Sequence, residues 1–374
     1  MLLRLSIELQ KRGFQNYVVS LEKREPFAEM FEEQGIEVFS LGSRGDGSWV
    51  RRLLGLGEVL RSVRPAVTQG WMYHANLALS LVGAGRSGVT RPLWNIRRGV
   101  DDLRERKLLT RLVVRTNACL SSRTSQIIYC TEESRRQHEE IGFHPSRGVV
   151  IGNGFDSRKF RPRNEFSSML RAKLALRPDT ILIGNVGRYD HAKGKQYLLD
   201  AFALLRQRTA NAHLVLVGRG MTPENREVRT RIQELGLSAA VTLYGEVSSL
   251  EEIYPSFDIL CSSSVSEGFP NAIAEAMLCG VVCVVTDVGN SRALVEGSGV
   301  VVPPRSSMAL AEGLSDVCAW SKDERVDAGR RGRERIARCH SLESVAERYA
   351  RLYRRVALGE EFPVVASQKA VISR

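Results

Sequence analysis

Short runs rich in β-branched residues alternate with helical patterns along most of this 374-residue chain. No other feature constrains the fold as much, because parallel strands must be joined by crossovers of a dozen or more residues, usually a helix. In the second half, Ile181–Val186, His213–Val217, Val241–Tyr244, Asp258–Ser262 and Val281–Thr286 are apolar runs bounded by Gly, Ser or Asp. Strands covered on both faces read this way. In the first half, Tyr17–Leu21, Val38–Leu41 and Ile127–Cys130 read as strands, with Ala66–Thr68 and Val149–Ile151 as shorter ones. Gly152-Asn153-Gly154 and Pro162 supply turn chemistry between the two series. The sequence therefore predicts an α/β chain of two domains, 1–155 and 156–340, each able to bury its own core. Ser341–Val356 has apolar residues at helical spacing and predicts a last helix, 341–357, which could pack on either domain, followed by a tail, 358–374.

Composition excludes several classes. A chain 43% hydrophobic and 26% charged is neither disordered nor collagen-like. The longest stretch without Asp, Glu, Lys or Arg, Pro65–Gly85, contains Thr68, Gln69, His74, Asn76 and Ser80, a polar load that a bilayer span would not carry. Seven cysteines are an odd number; Cys279 and Cys283 flank Gly280 with no second pair to complete a zinc site. They read as reduced core thiols of a cytoplasmic protein, and no metal is expected. The net charge of +12 is concentrated in residues 91–125 and 321–358, and such patches attract phosphates of nucleotide, lipid or nucleic acid. Without interleaved aromatics or a nucleic-acid motif, a nucleic-acid partner is not expected. Arg104, Lys107, Arg111 and Arg115 fall near one helical face beside Leu108, Leu109, Leu112 and Val113. That pattern fits a segment lying on an anionic membrane surface, and equally a solvated basic helix packed by its leucines.

Two segments carry chemistry. In Asp258–Thr286 a strand runs into the loop Ser263–Gly268, Pro270 suits a first helical turn, and Gly280 ends the helix before the next strand. Ligands of open α/β sheets bind beyond the carboxyl ends of the strands, where Glu267 falls. Glu275 follows eight residues later, about two turns along the helix. Carboxylates so spaced could reach successive hydroxyls of one ligand while the helix start accepts an anion, or Glu275 could be an ordinary solvated glutamate. The second segment, Gly187-Arg188-Tyr189-Asp190-His191-Ala192-Lys193-Gly194, follows strand Ile181–Val186 and sets two cations beside a helix start, a site suited to a diphosphate. It is not a Walker A loop, since Gln196 stands where a metal-binding Ser or Thr would be. Gly218-Arg219-Gly220 has Pro223 where the dinucleotide fingerprint needs a third Gly and reads as a tight turn. His74 either faces a cleft or is a satisfied core histidine.

Together these residues resemble the family 4 retaining glycosyltransferases of GT-B architecture. Glu267-Gly268-Phe269-Pro270-Asn271-Ala272-Ile273-Ala274-Glu275 matches that family's E-x7-E motif, and Gly187-Arg188 through Lys193-Gly194 matches its G-R-x4-K-G. Gly152-Asn153-Gly154-Phe155-Asp156 is similar to the family's linker, and Thr286–Gly289 through Val302–Pro304 to the stretch after the motif helix. The likeness covers 152–304; earlier it is confined to pieces such as Trp71–Asn76 and Trp94–Arg97. It implies two Rossmann-like domains facing across a cleft, an acceptor-side domain and one binding a nucleotide-sugar, with the last helix crossing back to the first.

The resemblance further implies metal-independent transfer of a sugar from a nucleotide-sugar, a UDP-sugar, to a glycan or lipid-linked acceptor in surface polysaccharide or glycolipid synthesis. Such an enzyme would work in the cytoplasm or peripherally on the inner face of the membrane. Arg188 and Lys193 would stabilise charge on the departing diphosphate, Glu275 would hold ribose hydroxyls, Glu267 would face the sugar and His74 would approach it from the other domain. Gly268, Phe269, Pro270 and Asn271 would complete the donor site, with no cofactor. A UDP-sugar epimerase of the same architecture, or an inactive polyanion- or membrane-binding protein, are the alternatives. Leu2, Leu5 and Leu9 read as a helix preceding strand Tyr17–Leu21. A Rossmann-like domain begins on a central strand, so the sequence carries the expectation that the first strand and its loop, about 15–25 residues, are missing and that the chain is poorly stable or inactive.

Overall fold

The computed structural model describes residues 1–22, 26–42, 48–83, 91–100 and 107–360. They divide into two compact units, Met1–Gly154 together with the chain from Leu342, and Phe155–Ser341.

The first unit runs α1 (Leu2–Gln10), β1 (Tyr17–Ser20), α2 (Pro26–Glu32), β2 (Glu37–Ser40), α3 (Trp49–Val63), β3 (Gln69–Trp71), α4 (Met72–Gly83), β4 (Leu93–Ile96), α5 (Leu108–Leu120), β5 (Ile127–Tyr129), α6 (Glu132–Glu140) and β6 (Gly148–Val150). Among the described residues its strands form two separate parallel sheets, the pair β1-β2 and the quartet β3-β4-β5-β6. Every residue of β4 is buried. Around it Trp94, Tyr129, Phe143 and Tyr73 enclose His138 of α6. That imidazole is fully buried, bonded to Tyr73 Oη at 2.8 Å and to the Ser134 carbonyl at 2.6 Å. Burial pushes its pKa down to about 4.

The second unit continues with α7 (Asn164–Lys173), β7 (Ile181–Val186), α8 (Lys195–Arg206), β8 (Ala212–Val217), α9 (Arg226–Glu234), β9 (Val241–Gly245), α10 (Leu250–Ile253), β10 (Ile259–Ser262), α11 (Asn271–Leu278), β11 (Val282–Thr286), α12 (Ser291–Val295), β12 (Gly299–Val302), α13 (Ser307–Ala319) and α14 (Lys322–Cys339). All six strands are parallel, in the order β12-β11-β10-β7-β8-β9. Leu214, Leu216, Ile259 and Val284 of the sheet pack with Leu198 and Phe202 of α8 and Leu310 and Leu314 of α13 in one apolar cluster. The order reverses beside β7, so the loops after β7 and β10 leave the sheet at a topological switch point.

The last helix, α15 (Leu342–Ala357), belongs to the first unit. Its Val345, Ala346 and Tyr349 pack against Leu5 and Leu9 of α1, and Asn95 of β4 donates to Tyr349 Oη at 2.9 Å. That settles which of the two domains its apolar stripe covers.

The short strand read at Ala66–Thr68 lies instead at Gln69–Trp71, where pairing with Leu93–Asn95 overrides a local sequence poor in β-branched residues. All seven cysteines are free; Cys130, Cys261, Cys279 and Cys283 are buried, but Cys119 and Cys339 are exposed at helix surfaces and are not core thiols. Among the described residues no helix is long and apolar enough to cross a membrane.

Candidate active site

The site is assembled from loops at the carboxyl ends of β7, β8, β10 and β11. Gly187 opens the first, and its N–H still bonds the Val217 carbonyl of β8 at 2.9 Å. Asp190 Oδ1 then accepts the Ala192 N–H at 2.9 Å and caps a short turn, His191–Lys193, that delivers Lys193. Gly194 follows with φ 56°, and a Cβ there would meet the Ser263 carbonyl at 2.1 Å, so only glycine fits both the turn and the neighbouring loop. Gly218, at φ 135°, is held as closely: a Cβ would lie 2.5 Å from the Gly187 carbonyl. The Gly218-Arg219-Gly220 turn is therefore a wall of the same loop, and the Arg219 carbonyl accepts the Tyr189 N–H at 2.8 Å.

The loop after β10 meets the loop after β7 through main chain and side chains. Val265 N–H donates to the Ala192 carbonyl at 2.8 Å, and Ser263 Oγ donates to the Lys193 carbonyl at 2.9 Å. Lys193 Nζ donates to Glu267 Oε1 at 2.5 Å, and Ser264 Oγ donates to the same oxygen at 2.7 Å. The structure thus brings together Lys193 and Glu267, one from each of the two segments singled out in the sequence. Arg188 is more open: its guanidinium donates to Asp190 Oδ2 at 2.9 Å and its side chain is 61% exposed. Partial burial opposes ionisation of Asp190, but the Ala192 N–H, Arg188 and Lys193 together hold its carboxyl below the usual range.

Glu275 lies on α11, two turns beyond Glu267, where the buried Tyr254 hydroxyl donates to its Oε2 at 3.1 Å and fixes the carboxylate. It is half-buried and anchored, unlike a freely solvated helical glutamate. Phe269 and Pro270 are buried, the Phe269 ring lying against Phe155 and His340 at centroid distances of 5.9 and 5.5 Å. Their side chains set the entry into α11 and leave only their main chain for a ligand, which narrows the part expected of them. Gly268 is half-buried and Asn271, the first residue of α11, is exposed. His74, on α4 of the first unit, is exposed and stacks on Trp49 at 6.2 Å, so the core-histidine reading does not hold.

Sequence reasoning missed Lys195 and Asn185. Lys195, the first residue of α8, is buried, and its Nζ donates to Asn185 Oδ1 of β7 while Asn185 Nδ2 donates to the Cys261 carbonyl of β10. Burial, reinforced by the nearby Lys193 charge, pushes its pKa down to about 7. A second lysine two positions after Lys193 was the available signal, but nothing in the sequence marks it as buried.

An open parallel sheet, a glycine-bounded loop with two cations at the switch point and an anchored pair of carboxylates make a site suited to a ligand carrying both an anionic group and hydroxyls. Residues 180–319 match the family described as glycosyl transferases group 1. Over those residues the chain is similar to that group, and its fold is the GT-B fold of two Rossmann-like units. It is 27% identical over 215 residues to the lipopolysaccharide core biosynthesis mannosyltransferase LpsB of Rhizobium meliloti (strain 1021), a match covering 55% of this chain and 60% of that one. It is 30% identical over 231 residues to the D-inositol 3-phosphate glycosyltransferase of Corynebacterium urealyticum (strain ATCC 43042 / DSM 7109), covering 59% of this chain and 54% of that one. It thus spans little more than half the length of these curated relatives. In fold it is similar to Anabaena Alr3699/HepE, solved in complex with UDP and glucose, with a TM-score of 0.79 at 21% identity, covering 94% of this chain and 95% of that one.

Proposed function

We infer that this chain is a retaining, metal-independent glycosyltransferase that moves a sugar from a nucleotide-sugar, a UDP-sugar, to a glycan or lipid-linked acceptor in surface polysaccharide or glycolipid synthesis. The observation that carries this reading is the convergence of Lys193 and Glu267 at the switch point. As the glycosidic bond to the diphosphate breaks, negative charge grows on the leaving oxygens; Lys193, a reoriented Arg188 and the start of α11 stabilise it without a divalent ion. Glu267 holds Lys193 in place and faces the sugar, and Glu275 takes the ribose hydroxyls. A UDP donor is supported by the complex in which HepE was solved, and a glycan or lipid-linked acceptor by the likeness to LpsB, a mannosyltransferase of lipopolysaccharide core biosynthesis.

Peripheral membrane association through α5 belongs to the same proposal. Leu108, Leu109 and Leu112 are 78%, 67% and 61% exposed beside exposed Lys107 and Arg115, so these leucines do not pack the helix onto the protein. Val113 is buried, and Arg104 lies outside the described residues. An apolar strip flanked by cations suits an anionic bilayer near a lipid-linked acceptor.

The test is incubation of the full chain with a panel of UDP-sugars and lipid-linked acceptors, with product analysis. A glycosylated acceptor retaining the donor's anomeric configuration supports the reading. Release of an epimerised UDP-sugar without transfer contradicts it.

A further inference from the structure

A buried amine lies directly behind the loop that carries Lys193. Lys195 opens α8 and is 2% exposed, and its Nζ has a single acceptor among the described residues, Asn185 Oδ1 of β7. That oxygen is fixed in place because Asn185 Nδ2 donates to the Cys261 carbonyl of β10 at 2.8 Å. An ammonium has three donors, so two of them would stand unpartnered in the charged form, whereas a neutral amine loses less by burial. A methionine would fill much the same space without that cost. Proteins break such a local rule chiefly at functional sites, and Lys195 stands at the switch point of the sheet.

Its surroundings are those of the donor site. Gly187 leaves open a space beside both lysines: a Cβ there would lie 3.7 Å from Lys195 Nζ and 3.7 Å from Cδ and Cε of Lys193. The Lys193 carbonyl accepts from Ser263 Oγ at 2.9 Å, and Lys193 Nζ donates to Glu267. The titratable groups acting on Lys195 are Lys193 from the loop after β7, Cys261 from β10 and Glu267 from the loop after β10. Cys318 of α13 acts on Cys261 in turn. Burial opposes the charge on Lys195 most, Lys193 opposes it further, and Cys261 and Glu267 favour it. In the chain by itself that balance leaves the amine neutral above about pH 7. A diphosphate beside Lys193 and Gly187 brings negative charge to the same space and tips the balance the other way.

We propose that Lys195 is a positioning residue of the donor site that compensates charge: its amine is neutral in the free chain and takes up a proton from solvent as a diphosphate settles beside Lys193. This rests on the reading of Lys193 as a diphosphate-binding cation. The new N–H bond forms at Nζ, water or buffer supplies the proton, and the charge gained offsets one of the ligand's. Linkage fixes the sign: a group that gains a proton on binding makes binding weaker as pH rises above its free-state value.

The test is calorimetric titration of UDP into the full chain at pH 8 in EDTA, where the terminal phosphate of the ligand has already lost its last proton. Tris and EPPS, buffers of different ionisation enthalpy, are compared. The heats should differ by the amount that corresponds to about half a proton or more taken up per UDP, and the dissociation constant should rise about fivefold or more between pH 7 and pH 9. In Lys195→Met the uptake should vanish, and the dissociation constant should stay near the wild-type value at pH 9 throughout. A residue that merely packs the loop would alter affinity without altering the proton count. Wild-type binding with equal heats in the two buffers, or the same proton count in Lys195→Met, would overturn this proposal and leave the donor-site reading standing. Absence of UDP binding to the wild-type chain would overturn both.

Discussion

At the scale of single residues, the account rests on cations whose partners are known. Lys193→Ala and Arg188→Ala should each lower turnover by about 10²–10³, the usual loss when one donor to a developing anion is removed; steady-state kinetics with saturating donor checks this. Glu275→Ala should raise the dissociation constant for UDP and leave turnover of the bound donor near normal, since contacts to ribose change little between ground and transition state. Lys195 makes a different prediction. Its pKa is lowered to about 7 in the folded chain, so between pH 7 and about 10.4 the unfolded chain binds the extra proton. Its contribution to stability therefore rises with pH through that window, and Lys195→Met should remove that slope and gain stability at pH 7, as read by urea melts at pH 7, 8 and 9. Residue-level legibility follows the same division. Arg188, Lys193, Glu267 and Glu275 were legible because their spacing places them at strand ends and along one helix. Lys195 and the Tyr254 anchor of Glu275 were not, because only tertiary packing makes them buried partners.

At the scale of elements, the sheet of the second unit was legible because its strands are covered on both faces and so read as unbroken apolar runs. β12 escaped, although Val300, Val301 and Val302 are its main residues, because it is an edge strand of four residues. In the first unit β3 and β4 are three and four residues long, and Gln69, Gly70 and Asn95 dilute their pattern. Their strand character comes from pairing with neighbours distant in sequence, which periodicity does not register. The α6 helix brings a pH dependence of its own. His138 is held neutral, with its pKa lowered to about 4 against an ordinary value near 6.5. The unfolded chain therefore takes up a proton first as pH falls, and the first unit loses stability between pH 6.5 and 4, by about 3 kcal/mol. Denaturant melts over that range should show the loss, and His138→Gln should flatten it at the expense of stability at pH 7.

At the scale of the whole molecule, a chain of net charge +12 presents cations both in its site and on α5. Co-sedimentation with vesicles should require anionic lipid, weaken with salt and fall when Leu108, Leu109 and Leu112 are changed together to Ser; binding indifferent to lipid charge and salt would leave α5 an ordinary surface helix. The GT-B architecture was legible from two motifs and the strand–helix alternation. The central claim is that the switch point of the second unit binds a nucleoside diphosphate through Lys193 and Glu275 without a metal. Calorimetric titration of UDP into the full chain in EDTA tests it most directly. The account predicts saturable one-to-one binding that weakens by about tenfold or more, at least 1.4 kcal/mol, in both Lys193→Ala and Glu275→Ala. Binding that needs Mg²⁺, or that is unchanged in both variants, would contradict it.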